Sequence, residues 1–166
     1  MNLYLLRHGI AVERDARRYE SDAERPLTTK GRRKLRHAAA AMRAMELSFD
    51  VILSSPLARA RQTAELIAKA LHCRHRLQLT EFLVPGSSAA GLVGRLRQLK
   101  PQSALLVGHE PDLSALVSRL LTGGRILAVR LKKGSLCRLS IERLQAGRCA
   151  SLDWMLTPSQ LEMMMR

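Results

Sequence analysis

Two histidines and two arginines stand out by type and by where they fall. His8 follows Arg7 directly after the apolar run Leu3-Tyr4-Leu5-Leu6, and His109 follows Gly108 after a second apolar run, 104–107. Arg59 comes shortly after a third, Val51-Ile52-Leu53, which ends in Ser54-Ser55-Pro56. Guanidinium groups present forked N–H donors that match the oxygens of an anion, and helix N-termini add backbone N–H groups. Such a set suits a phosphoryl group, whose oxygens carry spread negative charge during transfer. A neutral imidazole is a competent nucleophile near pH 7, so one ring can attack phosphorus while the other hydrogen-bonds an oxygen.

For this to work, the elements must bring the four side chains to one place. The chain alternates short apolar runs with helix-period segments. Strands are expected at residues 3–6, 51–53 and 104–107, with a weaker one at 76–80. A charged, apolar-poor stretch at 13–25 reads as a surface loop. Pro26-Leu27-Thr28 signals a helix start, with Thr28 or Thr29 as cap, and that helix should run to about residue 45. A second helix, with Pro56 in its first turn, should reach about Leu71 and bury Ala60, Ala64, Ile67 and Leu71. Helices are also expected at 91–99 and from Pro111 through 121, followed by three candidate strands near 126–131, 136–141 and 151–156.

This alternation predicts an α/β fold: one domain spanning residues 1–166, a three-layer sandwich whose mostly parallel central sheet carries helices on both faces. In an open α/β sheet, ligands bind outside the carboxyl ends of the strands. Three of those ends are Arg7-His8-Gly9, Ser54-Ser55-Pro56 and Gly108-His109.

The whole-chain numbers narrow the class. At 166 residues and 46% hydrophobic content the chain can bury a real core. Its apolar runs fall short of the roughly 20 residues that span a bilayer, and its N-terminus lacks the pattern of a secretory signal. Cys73, Cys137 and Cys149 are an odd number without regular spacing, which suggests reduced thiols and a cytoplasmic location. His72-Cys73-Arg74-His75 lacks a second ligand cluster and sits among cations, so neither a metal nor another cofactor is expected. The formal net charge is +14, and 22 of the 28 cations are arginine. Scattered cations with only 3% aromatics argue against nucleic acid as the main partner, and the charge is read as a field for anionic substrates. Met163, Met164 and Met165 are read as a frayed tail or a partner contact.

The segment from Leu3 to Gly9 resembles the first motif of the histidine phosphatase superfamily. Ser54-Ser55-Pro56-Leu57-Ala58-Arg59-Ala60-Arg61-Gln62-Thr63-Ala64 resembles the second and Val107-Gly108-His109-Glu110-Pro111 the third, while Pro26-Leu27-Thr28 with Gly31 matches the start of the family's first helix. The resemblance implies a fold like that of the phosphoglycerate mutases. It places the nucleophile on His8, the phosphate-binding arginines on Arg7 and Arg59, and the second histidine on His109. The short length, the stretch 108–114, Leu131-Lys132-Lys133-Gly134 and the tail 152–158 are similar to the small SixA-type phosphohistidine phosphatases. For that subgroup the substrate would be phosphohistidine on a signalling protein, such as a phosphotransfer domain, and the chemistry needs no metal.

The leaving group supplies a physical argument for the same subgroup. A sugar alkoxide needs a proton delivered to it, whereas phosphohistidine departs as neutral imidazole, whose conjugate acid has a pKa of about 6.5. Glu81 is the sole carboxylate near the third strand, and none follows between Phe82 and His109. Two other readings stand beside this one. In the first, the same chemistry acts on a small phosphomonoester with Glu81 as proton donor. In the second, the fold serves as a polyanion- or RNA-binding module without turnover.

Overall fold

Along the first strand, successive side chains enter two different cores. Leu3 and Leu5 pack with one set of helices, and Tyr4 and Leu6 with another, as the period of two in a strand requires. The computed structural model describes residues 1–15, 19 and 21–165. Strand β1 (Asn2–Arg7) leads to helix α1 (Thr29–Ala44), β2 (Val51–Ser54), α2 (Ala58–Ala70) and β3 (Leu77–Leu79). The chain continues through α3 (Ala89–Leu99), β4 (Ser103–Gly108), α4 (Asp112–Thr122), β5 (Leu136–Ile141), β6 (Ala150–Leu156) and α5 (Pro158–Met163).

The strands form one sheet in the order β3-β2-β4-β1-β5-β6. β1, β2, β3 and β4 run parallel, while β5 is antiparallel to both of its neighbours. On one face, Leu92 and Leu96 of α3 and Leu113, Leu116 and Leu120 of α4 cover Leu5, Leu53 and Leu106. On the other, α1 and α2 cover Tyr4, Ile52 and Leu105 with Ala38, Met42, Ala60 and Ile67. The chain is therefore a single-domain three-layer α/β sandwich. Among the described residues, no helix is long and apolar enough to cross a membrane.

Because α1 lies on one face and α4 on the other, the connections leaving β1 and β4 diverge. These two strands are neighbours in the sheet, with Arg7 opposite Gly108. Their carboxyl ends therefore open a crevice at a topological switch point. Helix α1 is seated tightly against its edge. Thr28 caps the helix by accepting from the Gly31 N–H at 2.9 Å, and the Thr28 N–H donates to the Ile10 carbonyl at 2.9 Å. A Cβ on Gly31 would fall well inside contact distance of that same carbonyl, so glycine lets the helix approach the segment just after His8.

Three elements differ from the sequence expectation. The apolar stretch 126–131 is not a strand: Ile126 is 81% exposed, the Leu127 N–H donates to Ser118 Oγ, and the Leu131 carbonyl accepts from Arg7. Side chains take up backbone groups there that a neighbouring strand would otherwise have paired. Pro56 precedes α2 rather than opening it, in a turn where the Leu57 N–H donates to Ser55 Oγ at 3.3 Å. Finally, α5 was not expected: started by a Thr157–Gln160 capping box with proline in its first turn, it runs into Met163, the first of the three methionines read as a frayed tail or a partner contact. Leu161, fully buried against α1, anchors it, which stabilises the fold by about 2 kcal/mol. Of the expected loop 13–25, residues 16–18 and 20 lie outside the described residues.

Candidate active site

The ends of β2, β4 and β1 lie side by side, and backbone hydrogen bonds carry the sheet one residue further. The His8 N–H donates to the Gly108 carbonyl at 3.1 Å, and the Ser55 N–H to the Val107 carbonyl at 3.0 Å. His8 and His109 thus emerge from adjacent strands, with ring centroids 5.0 Å apart and planes tilted by 55°. Both are buried, at 6% and 3% exposure, and Arg59 from the first turn of α2 is 4% exposed.

Each ring is held by a different kind of partner. His8 Nδ1 lies 2.7 Å from the Gly9 carbonyl, which can only accept, so Nδ1 carries the proton and Nε2 keeps its lone pair. His109 Nε2 is 2.9 Å from Ser55 Oγ, and its Nδ1 is buried without a protein partner. If Ser55 donates to Nε2, the unpartnered Nδ1 bears an N–H that an oxygen of a bound anion would satisfy. Motifs one and two are tied together by Thr63, whose Oγ1 accepts from the Gly9 N–H at 3.1 Å and donates to the Arg59 carbonyl at 2.7 Å.

The arginines are braced as well. Arg7 Nη1 donates to the Leu131 carbonyl at 2.8 Å. Arg59 is gripped by Asp22, with Nη1 on its backbone carbonyl at 2.8 Å and Nη2 on Oδ2 at 2.9 Å. Arg25 closes the cluster through Asp22 Oδ1 at 2.7 Å. Buried Nε atoms of Arg7 and Arg59 have no protein acceptor.

Burial governs the electrostatics. It pushes His8 down to about 3, with the Gly9 carbonyl opposing and His109, Arg59 and Arg7 adding to the fall. Burial, together with Arg59, pushes His109 down to about 4. Both rings are therefore neutral at pH 7, as a nucleophile and an uncharged donor need to be. Desolvation also lowers both arginines, offset by Glu110 for Arg7 and by Asp22 for Arg59, and both stay charged. Burial works to raise the Asp22 carboxyl, but Arg59 and Arg25 together bring it below its usual value.

These shifts set an expected pH dependence of stability. Below about pH 6.5 the unfolded chain takes up protons on both rings, whereas the folded protein resists until about 4 and 3. The stability tied to the neutral rings is full above pH 6.5 and is lost as pH falls through that window. Urea unfolding should show a decline on the order of 5 kcal/mol between pH 6.5 and 4, roughly half of it from each ring. Ring NMR should show no titration of either histidine above pH 5; a midpoint near 6.5 for either would contradict the account.

All four residues singled out from the sequence as catalytic lie around this crevice. Glu81 does not share their burial: it is solvent-exposed on a short 3-10 turn (Glu81–Leu83) whose next residues, Phe82 and Leu83, line a cleft beside His109. The sequence reading missed Asp22 and Arg25, which lie in a loop whose charge suggested only solvent. It also passed over Glu110, whose Oε2 accepts from Ser114 Oγ and whose Oε1 is buried without a partner. An Asp-x-x-Arg spacing just before Pro26 was the available signal for the first two.

Such an assembly, two neutral imidazoles with the buried Arg59 and the half-buried Arg7 at a switch point, is an α/β site suited to a phosphoryl group. Comparison with known proteins agrees. Residues 3–83 match the profile of the histidine phosphatase superfamily (branch 1). The structure of the protein histidine phosphatase SixA complexed with tungstate superposes with a TM-score of 0.85, at 25% identity over 97% of this chain and 99% of that one. An uncharacterised protein of Picosynechococcus sp. (strain ATCC 27264 / PCC 7002 / PR-6) is 37% identical over 97% of this chain and 99% of its own. The probable phosphoglycerate mutase GpmB of Escherichia coli O1:K1 / APEC is 41% identical over 73 residues, 44% of this chain and 33% of GpmB. The chain belongs to the histidine phosphatase superfamily, with the SixA-type fold, and is a phosphatase of that family.

Proposed function

We propose that this phosphatase removes the phosphoryl group from phosphohistidine on a signalling protein, through a covalent phospho-His8 intermediate. The observation that carries the reading is the buried, neutral His8, its Nδ1 proton fixed on the Gly9 carbonyl and its Nε2 lone pair left for phosphorus. His8 Nε2 forms the new N–P bond as the bond from phosphorus to the substrate imidazole breaks. The electron pair goes to the departing ring, already protonated on its other nitrogen, which leaves neutral. Arg7, Arg59 and His109 hold the phosphoryl oxygens. Water then attacks phosphorus, and its proton passes to the released phosphate or to solvent as neutral His8 returns.

The partner implied is a phosphotransfer-type protein, and the basic chain is suited to an anionic substrate. The one proton donor the sequence offered, Glu81, is exposed on its 3-10 turn and not buried with the histidines, which favours imidazole over alkoxide leaving groups. The expected result is a kcat/KM for a phosphohistidine-bearing protein about 100-fold above that for sugar and nucleotide monophosphates. The reverse preference, with turnover depending on Glu81 or on Glu110 and its unpartnered oxygen, would replace this reading with a small-molecule phosphomonoesterase.

A further inference from the structure

From the same crevice a cleft of about 310 Å³ runs away from His109 along α4, and the mechanism above makes no use of it. Its size lies at the lower end for small-ligand pockets. One wall is α4, which presents Asp112, Ala115, Leu116 and Arg119, spaced so that they share one face over about 10 Å. The other wall is the 3-10 turn and the start of α3, with Phe82 and Leu92 facing in; Arg125 completes the far end.

This cleft is built rather than incidental. The Gly86 N–H donates to Asp112 Oδ2 at 2.8 Å, so that the only carboxylate lining the cleft among the described residues is already committed to pinning the two walls together. Ser87 Oγ donates to the Phe82 carbonyl at 2.7 Å. The Phe82 ring lies over Gly91 so closely that a Cβ there would sit 2.5 Å from its Cε1, yet Phe82 remains 40% exposed. An aromatic platform is thus held open next to the phosphoryl site. Arg119 and Arg125 are exposed, and among the described residues neither is paired with a carboxylate.

We infer that this cleft is the leaving-group subsite: Phe82 supports a flat ring attached to phosphorus, and Arg119 with Arg125 binds an anionic group carried beyond it. The inference rests on the phosphatase reading and specifies its substrate. An imidazole fits the platform, and the anion is a carboxylate, supplied by an acidic residue beside the phosphohistidine or by a substituent of a small organophosphate.

The test compares the double variant Arg119→Ala/Arg125→Ala with the parent protein on four substrates. These are phosphoramidate, which has a P–N bond and no organic group; a phosphohistidine peptide with neutral flanks; the same peptide with flanking aspartates; and a carboxylate-bearing aryl phosphate. The expected result is a loss of about tenfold in kcat/KM on the aspartate-flanked peptide, carried by KM and reduced by salt, with phosphoramidate turnover unchanged. Arg119→Lys/Arg125→Lys should recover most of the loss, and Phe82→Ala should weaken both peptides equally. Equal loss on phosphoramidate, or no loss on any carboxylate-bearing substrate that the parent protein turns over, overturns the subsite. Turnover confined to the aryl phosphate, and lost in the double variant, keeps the subsite and overturns phosphohistidine as the substrate.

Discussion

Replacing His8 with alanine is expected to lower turnover of a phosphohistidine protein by about four orders of magnitude, because the covalent route is lost and not merely weakened. Arg7, Arg59 and His109 remain to bind the phosphoryl group, so the variant should still bind inorganic phosphate with little change. What remains is direct attack by water on a clamped phosphoryl group, helped only by electrostatic stabilisation. Removing the 6%-exposed ring also leaves a hole lined by the Gly9 carbonyl and the His109 ring. Free imidazole added to the His8→Ala protein should enter that space and accept the phosphoryl group in trans. Restoration of turnover by imidazole, with phosphoimidazole as product, would identify the missing group as the nucleophile. Undiminished turnover without imidazole would remove the proposed mechanism.

The second large effect concerns Arg59. Arg59 is 4% exposed and its guanidinium is fixed at two nitrogens by Asp22, so its orientation is set before substrate arrives. A preorganised donor aimed at developing charge is worth about two to three orders of magnitude in rate, and Arg59→Met should cost about that in kcat/KM. Stability should suffer much less, because Asp22 is 39% exposed at its side chain and keeps Arg25 at 2.7 Å. Arg59→Lys is the sharper test. A lysine carries its three donors on one nitrogen and cannot span the separate positions that Nη1, Nη2 and the free Nε of Arg59 occupy, so this variant should recover little of the rate. Near-normal turnover for Arg59→Lys, measured alongside unfolding curves, would show that Arg59 supplies only charge.

The parts of the fold and site that were legible share a cause. Val51-Ile52-Leu53 and the runs at 3–6 and 104–107 are buried on both faces of the sheet, so they read as continuous apolar stretches. Polar residues that end such runs fall at the strands' carboxyl ends by construction. His8 and His109 were visible for that reason, and Arg59 because it follows the third run by half a dozen residues.

Where the sequence misled, long-range packing decided the outcome. The stretch 126–131 has strand composition, but Ser118 of α4 and Arg7 of β1 take its backbone groups, and nothing local announces those partners. Asp22 and Arg25 lie in a charged loop, and only the fold brings them to Arg59, 34 residues or more further along the chain. The start of α5 was readable: Thr157-Pro158-Ser159-Gln160 is a capping-box pattern, and attention to the methionines after it hid the signal. The cleft beyond His109 was not legible at all, since its walls come from three separate segments.

The central claim is that phosphorus passes through His8. Mixing the protein with a phosphohistidine substrate labelled in the phosphoryl group and quenching into alkali, which preserves the N–P bond, tests it most directly. The account predicts up to one labelled phosphoryl group per chain during turnover, mapped by mass spectrometry to His8, and none in His8→Ala. Full-rate turnover with no covalent label, or label found on His109 instead, would contradict it.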